Sequence, residues 1–278
     1  MIDYRVMIAL NLLTLLVSNL YAAAPTVDAM SQELYQAYQQ KNPMPNLSKK
    51  YELDMSLAYQ VQKSYVRSRL QSEHIAGFKA GLTSDEAQSS FNINRPIIGI
   101  LFKEGQKQDN SELVINDYQG LMIEAELGFI FDRKISKKVN SVDELKSYVQ
   151  KIVPVLELPE VHFESTLTEG VDLVAINTGS AYFIPSDTVN WLGQDINDIT
   201  VTLRHDDRIV LQGQGRDALG DQWEALRWLV NQVIAHGWSI EKGYLLITGA
   251  LGGMVDVQPG VYKALYNNET TVSFTVNE

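Results

Sequence analysis

The chain of 278 residues contains no cysteine. Disulfides, thiolate catalysis, zinc–thiolate centres and iron–sulfur clusters are therefore excluded together. Histidine is scarce: His74, His162, His205 and His236 stand far apart, with no metal-ligand spacing. No basic tract occurs, and 23 Lys+Arg face 34 Asp+Glu, a net charge of −11. Phosphate binding needs clustered cations, so the composition argues against nucleic acid, and it disfavours an anionic membrane surface. An acidic protein handling an anionic substrate needs a metal or a few local cations to invert its field. Gly179-Ser180-Ala181 is not the glycine-serine-glycine elbow of a hydrolase, and Gly213, Gly215 and Gly220 form neither a dinucleotide fingerprint nor a P-loop. Repeats and low-complexity tracts are absent.

What is present is an ordinary globular composition, 45% hydrophobic and 21% charged, enough for one large domain or two small ones. Val6–Val27 is uncharged, with Arg5 before it and Ala22-Ala23-Ala24 near its end. That pattern predicts a signal peptide over residues 1–24, and hence a periplasmic or secreted protein. A membrane anchor is the alternative, although Asn11, Thr14, Ser18 and Asn19 make the span polar. Helical spacing then predicts helices over 28–40, 56–72, 84–91, 141–149 and 221–236. From Glu112 onward strands dominate, including a hairpin around Asp206-Asp207 and a final pair around Asn267-Asn268. The class is α+β: a helical, lid-like front over 25–105 and a strand-rich body over 106–278.

The stretch that organises the chain is Leu121–Ile130, LMIEAELGFI. Read as a strand, it puts Met122, Glu124, Glu126 and Gly128 on one face and Ile123, Ala125, Leu127 and Phe129 on the other. The second face is wholly apolar and must meet the core. Two carboxylates on one face of so hydrophobic a strand are expensive to bury without a cation. Glu157, the only charge between Ile152 and Pro159, is a third candidate. Three carboxylates on buried strands suit a hard divalent cation, Mg²⁺ or Mn²⁺. An edge strand with water-facing glutamates is the alternative. Lys79, in the apolar Ile75–Thr83 stretch, is either partly desolvated beside a ligand or a snorkelling surface lysine. The small-residue centre Asn177-Thr178-Gly179-Ser180 suits close approach of a ligand or tight packing between elements.

Five blocks taken together resemble the 2-keto-4-pentenoate hydratase family of the fumarylacetoacetate hydrolase superfamily. They are GFKAGLTS (77–84), IEAELGFI (123–130), PVLELPE (154–160), INTGSAYF (176–183) and LLITGALGGMV (245–255). The resemblance implies that superfamily's mixed β-sheet roll, preceded by a helical segment. It also implies a homo-oligomer that adds water to a short 2-hydroxydienoic (2-oxo-enoic) acid. Glu124, Glu126 and Glu157 fall on its Mg²⁺ or Mn²⁺ ligands and Lys79 on its proton-transfer lysine. Asn177, Thr178, Gly179, Ser180, Thr248 and Gly249 fall around the substrate. A lysine beside the cation is expected to have a lowered pKa. Two positions depart from the pattern: Ile97 stands where an aspartate is usual, and Ser180 is displaced by one. A 2-oxo acid decarboxylase on the same scaffold and a non-catalytic, exported oxo-acid-binding protein are the competing readings. The resemblance further implies a cytoplasmic catabolic enzyme, in tension with the N-terminal reading.

Overall fold

The computed structural model of the protein describes residues 26–186 and 189–278. The expected signal peptide lies outside them. Among the described residues no helix is long and apolar enough to cross a membrane.

The chain opens with helices α1 (Val27–Gln40) and α2 (Met55–Arg69), then strand β1 (Ile75–Gly81), α3 (Asp85–Ser90), β2 (Ile97–Phe102) and β3 (Ser111–Val114). β4 (Met122–Phe131), α4 (Val142–Lys146), β5 (Val149–Leu158), α5 (Gly170–Ala175) and β6 (Tyr182–Pro185) follow. The last part holds β7 (Thr200–His205), β8 (Arg208–Gln214), α6 (Gln222–Ala235), β9 (Leu245–Ile247), β10 (Met254–Asp256), β11 (Gly260–Tyr266) and β12 (Thr270–Asn277). Helix starts are marked by short polar side chains. Thr26, Asp54, Ser84, Ser141 and Asp221 each accept a hydrogen bond from the backbone N–H three residues on. The helix expected over 141–149 is shorter because β5 already begins at Val149, giving that strand its ten residues.

Seven strands form one sheet in the order β2-β1-β9-β4-β5-β6, with β10 also on β4; five form another, β3-β12-β11-β7-β8. β4 is central: β5 pairs along one side, while β9 and β10 share the other. That placement removes the edge-strand reading of its glutamates. The larger sheet curls until its ends meet, since the segment after β2 bridges β6 at Gln106 and Phe183, and Lys107 N–H donates to Phe183 O at 2.9 Å. Because β1 and β2 belong to this roll, the boundary expected near residue 105 cuts through the sheet instead of separating a front from a body.

Alternation sorts the roll into two surfaces. Ile123, Ala125, Leu127 and Phe129 are fully buried in the main core, which the five-stranded sheet and α6 complete. The inner surface has a small apolar floor of Leu101, Val153, Val155, Phe183, Leu245 and Ile247. The front helices and α5 close a separate cluster around Met30, Leu34, Tyr65 and Val174. The fold is thus the α+β roll with a helical front.

Candidate metal centre

Glu124 and Glu126 project from the inner face of β4, and the β4–β5 register sets Glu157 directly opposite Glu124. One oxygen from each carboxylate lies within 4.8 Å of the others. Glu126 and Glu157 are completely buried and Glu124 only partly, so the cluster opens toward Glu124. Lys79 enters from β1, opposite Gly99 on one neighbour and Ile247 on the other. It is 2% exposed, and its Nζ donates to Glu157 Oε1. Gly99 makes this possible: a Cβ there would stand 3.0 Å from Lys79 Cγ and 2.9 Å from Asn177 O.

Glu126 Oε2 accepts the Gly249 N–H at 2.6 Å. Its other oxygen, and Glu157 Oε2, are buried without a hydrogen-bond partner among the described residues. Two orphaned carboxylate oxygens beside a third carboxylate, with one ammonium among them, are a donor set for a hard cation. Without one, burying these charges costs several kcal/mol per ion. The chain's groups therefore fit the expected Mg²⁺ or Mn²⁺.

The electrostatics carry the same imbalance. Burial first, and the Glu157 charge second, push Glu124 up to about 8, with Lys79 acting the other way. Burial, then Glu157 and Glu124, hold Glu126 well above the usual carboxylate range. Burial works to lower Lys79, but Glu157 and Glu124 outweigh it and hold its ammonium above the ordinary lysine value. The expected lowering of Lys79 is thus reversed in the field of the protein groups alone, because three carboxylates surround it.

The remaining expected site residues do different work. Asn177 lies at φ 65° and pairs like a strand residue with Ile100, accepting its N–H at 2.8 Å and donating to its carbonyl at 2.9 Å. The Thr178 hydroxyl donates to Ile98 O at 2.8 Å. Both side chains are thereby engaged with β2. Gly179 and Ser180 line a cavity of about 420 Å³ beside Tyr38, Tyr65, Arg69 and Tyr182, which none of the three glutamates or Lys79 lines. Thr248 is fully buried and bonds Gln222, whereas Gly249 meets the carboxylate cluster through its N–H to Glu126. Ile97 packs into the apolar cluster of the front helices, so that position supplies no acid to the site. Sequence reading missed Gln222, although a signal existed. It continues the buried stripe of Ala225, Leu226 and Leu229 on α6, and a polar residue there needs a partner.

No family model matches the chain. A 2-keto-4-pentenoate hydratase of Paraburkholderia xenovorans is 29% identical over 233 residues, 83% of this chain and 87% of that protein. A 4-oxalocrotonate decarboxylase of Pseudomonas sp. CF600 is 23% identical over 84% of this chain and 89% of its own length. Among solved structures, the 4-oxalocrotonate decarboxylase of Pseudomonas putida G7, complexed with magnesium and adipate, superposes with a TM-score of 0.83 at 22% identity. The match covers 90% of this chain and 97% of that one. A putative fumarylacetoacetate hydrolase family protein of Yersinia pestis superposes at 0.52, with 15% identity over 74% of this chain and 94% of its own. These relatives correct the expectation of a periplasmic, secreted or membrane-anchored protein. The sequence resemblance they support is the one that implied a cytoplasmic catabolic enzyme. The export reading rested on the uncharged Val6–Val27 stretch, Arg5 before it and Ala22-Ala23-Ala24 near its end, nearly all of which lies outside the described residues.

Proposed function

Because the chain is a homologue of the 2-keto-4-pentenoate hydratases on a fumarylacetoacetate-hydrolase-type fold, we propose that it is a metal-dependent hydro-lyase. Its substrate is a short 2-hydroxydienoic or 2-oxo-enoic acid, to which it adds water. The observation that carries the reading is the buried cluster of Glu124, Glu126 and Glu157 with two orphaned oxygens and Lys79 beside it. Glu124, Glu126 and Glu157 would hold the Mg²⁺ or Mn²⁺, which supplies Lewis-acid stabilisation of negative charge on the substrate's carboxylate and 2-oxygen.

The chain's own groups do the rest. Lys79 Nζ holds a proton at the wall of the site and delivers or accepts it along the substrate's carbon chain. Its bond to Glu157 fixes the ammonium in place, and the apolar floor of Val155, Phe183 and Ile247 keeps bulk water from the carbon skeleton. Glu124, the partly exposed ligand, stands where substrate enters.

A decarboxylase of a 2-oxo acid is the second reading. Ile97 leaves the site without the acid usual at that position, and decarboxylation needs only the electron sink. The likeness to 4-oxalocrotonate decarboxylases favours it further.

Calorimetric titration with oxalate, a mimic of a 2-oxo acid enolate, tests the site. Binding is expected only when Mg²⁺ or Mn²⁺ is present; metal-independent or absent binding sinks the reading. Product analysis then separates the reactions, by loss of dienoate absorbance without gas or by release of carbon dioxide. Oxalate binding without either turnover makes the protein an oxo-acid binder.

A further inference from the structure

Glu126 has two oxygens with different fates: one is tied to Gly249 and the other has no hydrogen-bond partner among the described residues. What decides which is which lies outside the site. Gly249 follows Thr248, whose hydroxyl donates to Gln222 Oε1 at 2.6 Å. Gln222 in turn donates through Nε2 to Gly215 O at 2.6 Å, and its backbone N–H is held by Asn197 Oδ1 at 2.9 Å. Glu126, Thr248 and Gln222 are each fully buried. No slack exists at either end. A Cβ on Gly249, at φ +112°, would strike Thr83 Oγ1 at 2.3 Å, and one on Gly215 would strike Ile196 O at 2.0 Å.

We infer that Gln222 and Thr248 are positioning residues for the metal centre. Through Gly249 they aim one N–H at Glu126 Oε2 and so present Oε1 to the cation. The inference rests on the metal-binding reading above. It moves Thr248 from a substrate contact to a support, and adds α6, which contributes no ligand, to the machinery of the site. The physical reason is the strand geometry around the ligand. The 248–253 segment bridges from β9 to β10 between the two stretches of β4 that they pair with. Its ties near Glu126 are one backbone bond, Leu251 N–H to Ala125 O at 2.8 Å, and the Thr248 side chain. Thr248 is the residue that ties it to the helix. A buried polar chain of this kind could be replaced by apolar groups at little cost to folding, so stability alone does not require it.

The test is a Mn²⁺ titration of the full chain followed by electron paramagnetic resonance, run on the wild type, Thr248→Val, Gln222→Met and Thr248→Ser. Thr248→Val and Gln222→Met are expected to weaken Mn²⁺ binding by about tenfold or more, the range typical when partners that orient a ligand are removed. Their Mn²⁺ spectra should also broaden or shift, while Thr248→Ser, which keeps the hydroxyl, restores affinity and spectrum. Circular dichroism checks that each variant is folded, and Gln222→Met reads the same bond from its other end should Thr248→Val fail to fold. Wild-type affinity and spectrum in both removing variants overturn the inference and leave the metal site standing. Absence of Mn²⁺ binding in the wild type overturns both.

Discussion

The two faces of β4 are built from the same ten residues and do opposite things. The outer face, Ile123, Ala125, Leu127 and Phe129, meets the main core with every side chain fully buried and needs no partner chemistry. The inner face gathers Glu124 and Glu126 against Glu157 and Lys79, buried ionisable groups whose charged forms work against folding until something compensates them. One face supplies stability and the other spends it on a site. The contrast teaches that a strand pinned firmly on one side can carry an unfavourable cluster on the other, and can hold it to a narrow geometry.

The contrast breaks most sharply at Lys79. Lys79→Ala is expected to lower kcat/KM by about 10²–10⁴-fold, the usual worth of a positioned acid–base group. Mn²⁺ binding should persist, because the ammonium competes with a cation for Glu157. Unchanged turnover would remove Lys79 from the chemistry. On the outer face the effect appears in stability instead. Phe129→Ala should cost about 3–5 kcal/mol in denaturant unfolding, with Mn²⁺ affinity of the folded protein retained; lost affinity at normal stability would mean that the faces are not separable. A smaller change is expected where the roll closes. Asn177→Ala strips Ile100 of a donor and an acceptor at once, a loss of about 1–3 kcal/mol, and Asn177→Asp should recover only part of it. Wild-type stability in Asn177→Ala would show that the residue's pairing with β2 is dispensable.

The gentlest probe is pH. Glu124 holds its proton up to about 8 against an ordinary 4.5, and Glu126 is shifted the same way. Between those limits the folded protein binds more protons than the unfolded chain, so stability falls as pH rises. Lys79, raised from 10.5, contributes stability that is lost only in more alkaline solution, as pH rises through its folded value. The thermal midpoint of chelator-treated protein should therefore decline from about pH 5 to about pH 8, and added Mg²⁺ should flatten the profile. A midpoint that is already flat without metal contradicts the assignment of these protons.

Much of the site could be read from residue types and spacing. Period-two alternation alone separated Glu124 and Glu126 from their apolar neighbours, and Glu157 stood out as a lone charge in a buried strand. Lys79 was visible between glycines, and its contact with Glu157 follows from the strand order β1-β9-β4-β5 bent into a roll. Asn177 and Thr178 were legible as a small-residue centre suited to a ligand or to packing, but not as partners of β2. Their hydrogen bonds go to β2, about eighty positions away, and no local pattern announces such a partner. Gln222 was missed because a glutamine at the first turn of a helix suits solvent, and its place on the buried stripe of α6 was the one sign against that.

By itself the sequence determined the α+β class, the two faces of β4, the helix caps and the chemistry available. These depend on periodicity and side-chain type, which act over a few residues. Only the tertiary structure decided that the three carboxylates meet within 4.8 Å, that Lys79 donates to Glu157, and that Thr248 leans on Gln222. Those outcomes depend on register between distant strands and on the field of neighbours brought together by folding. Both arise from long-range pairing, which is set by how the whole core packs.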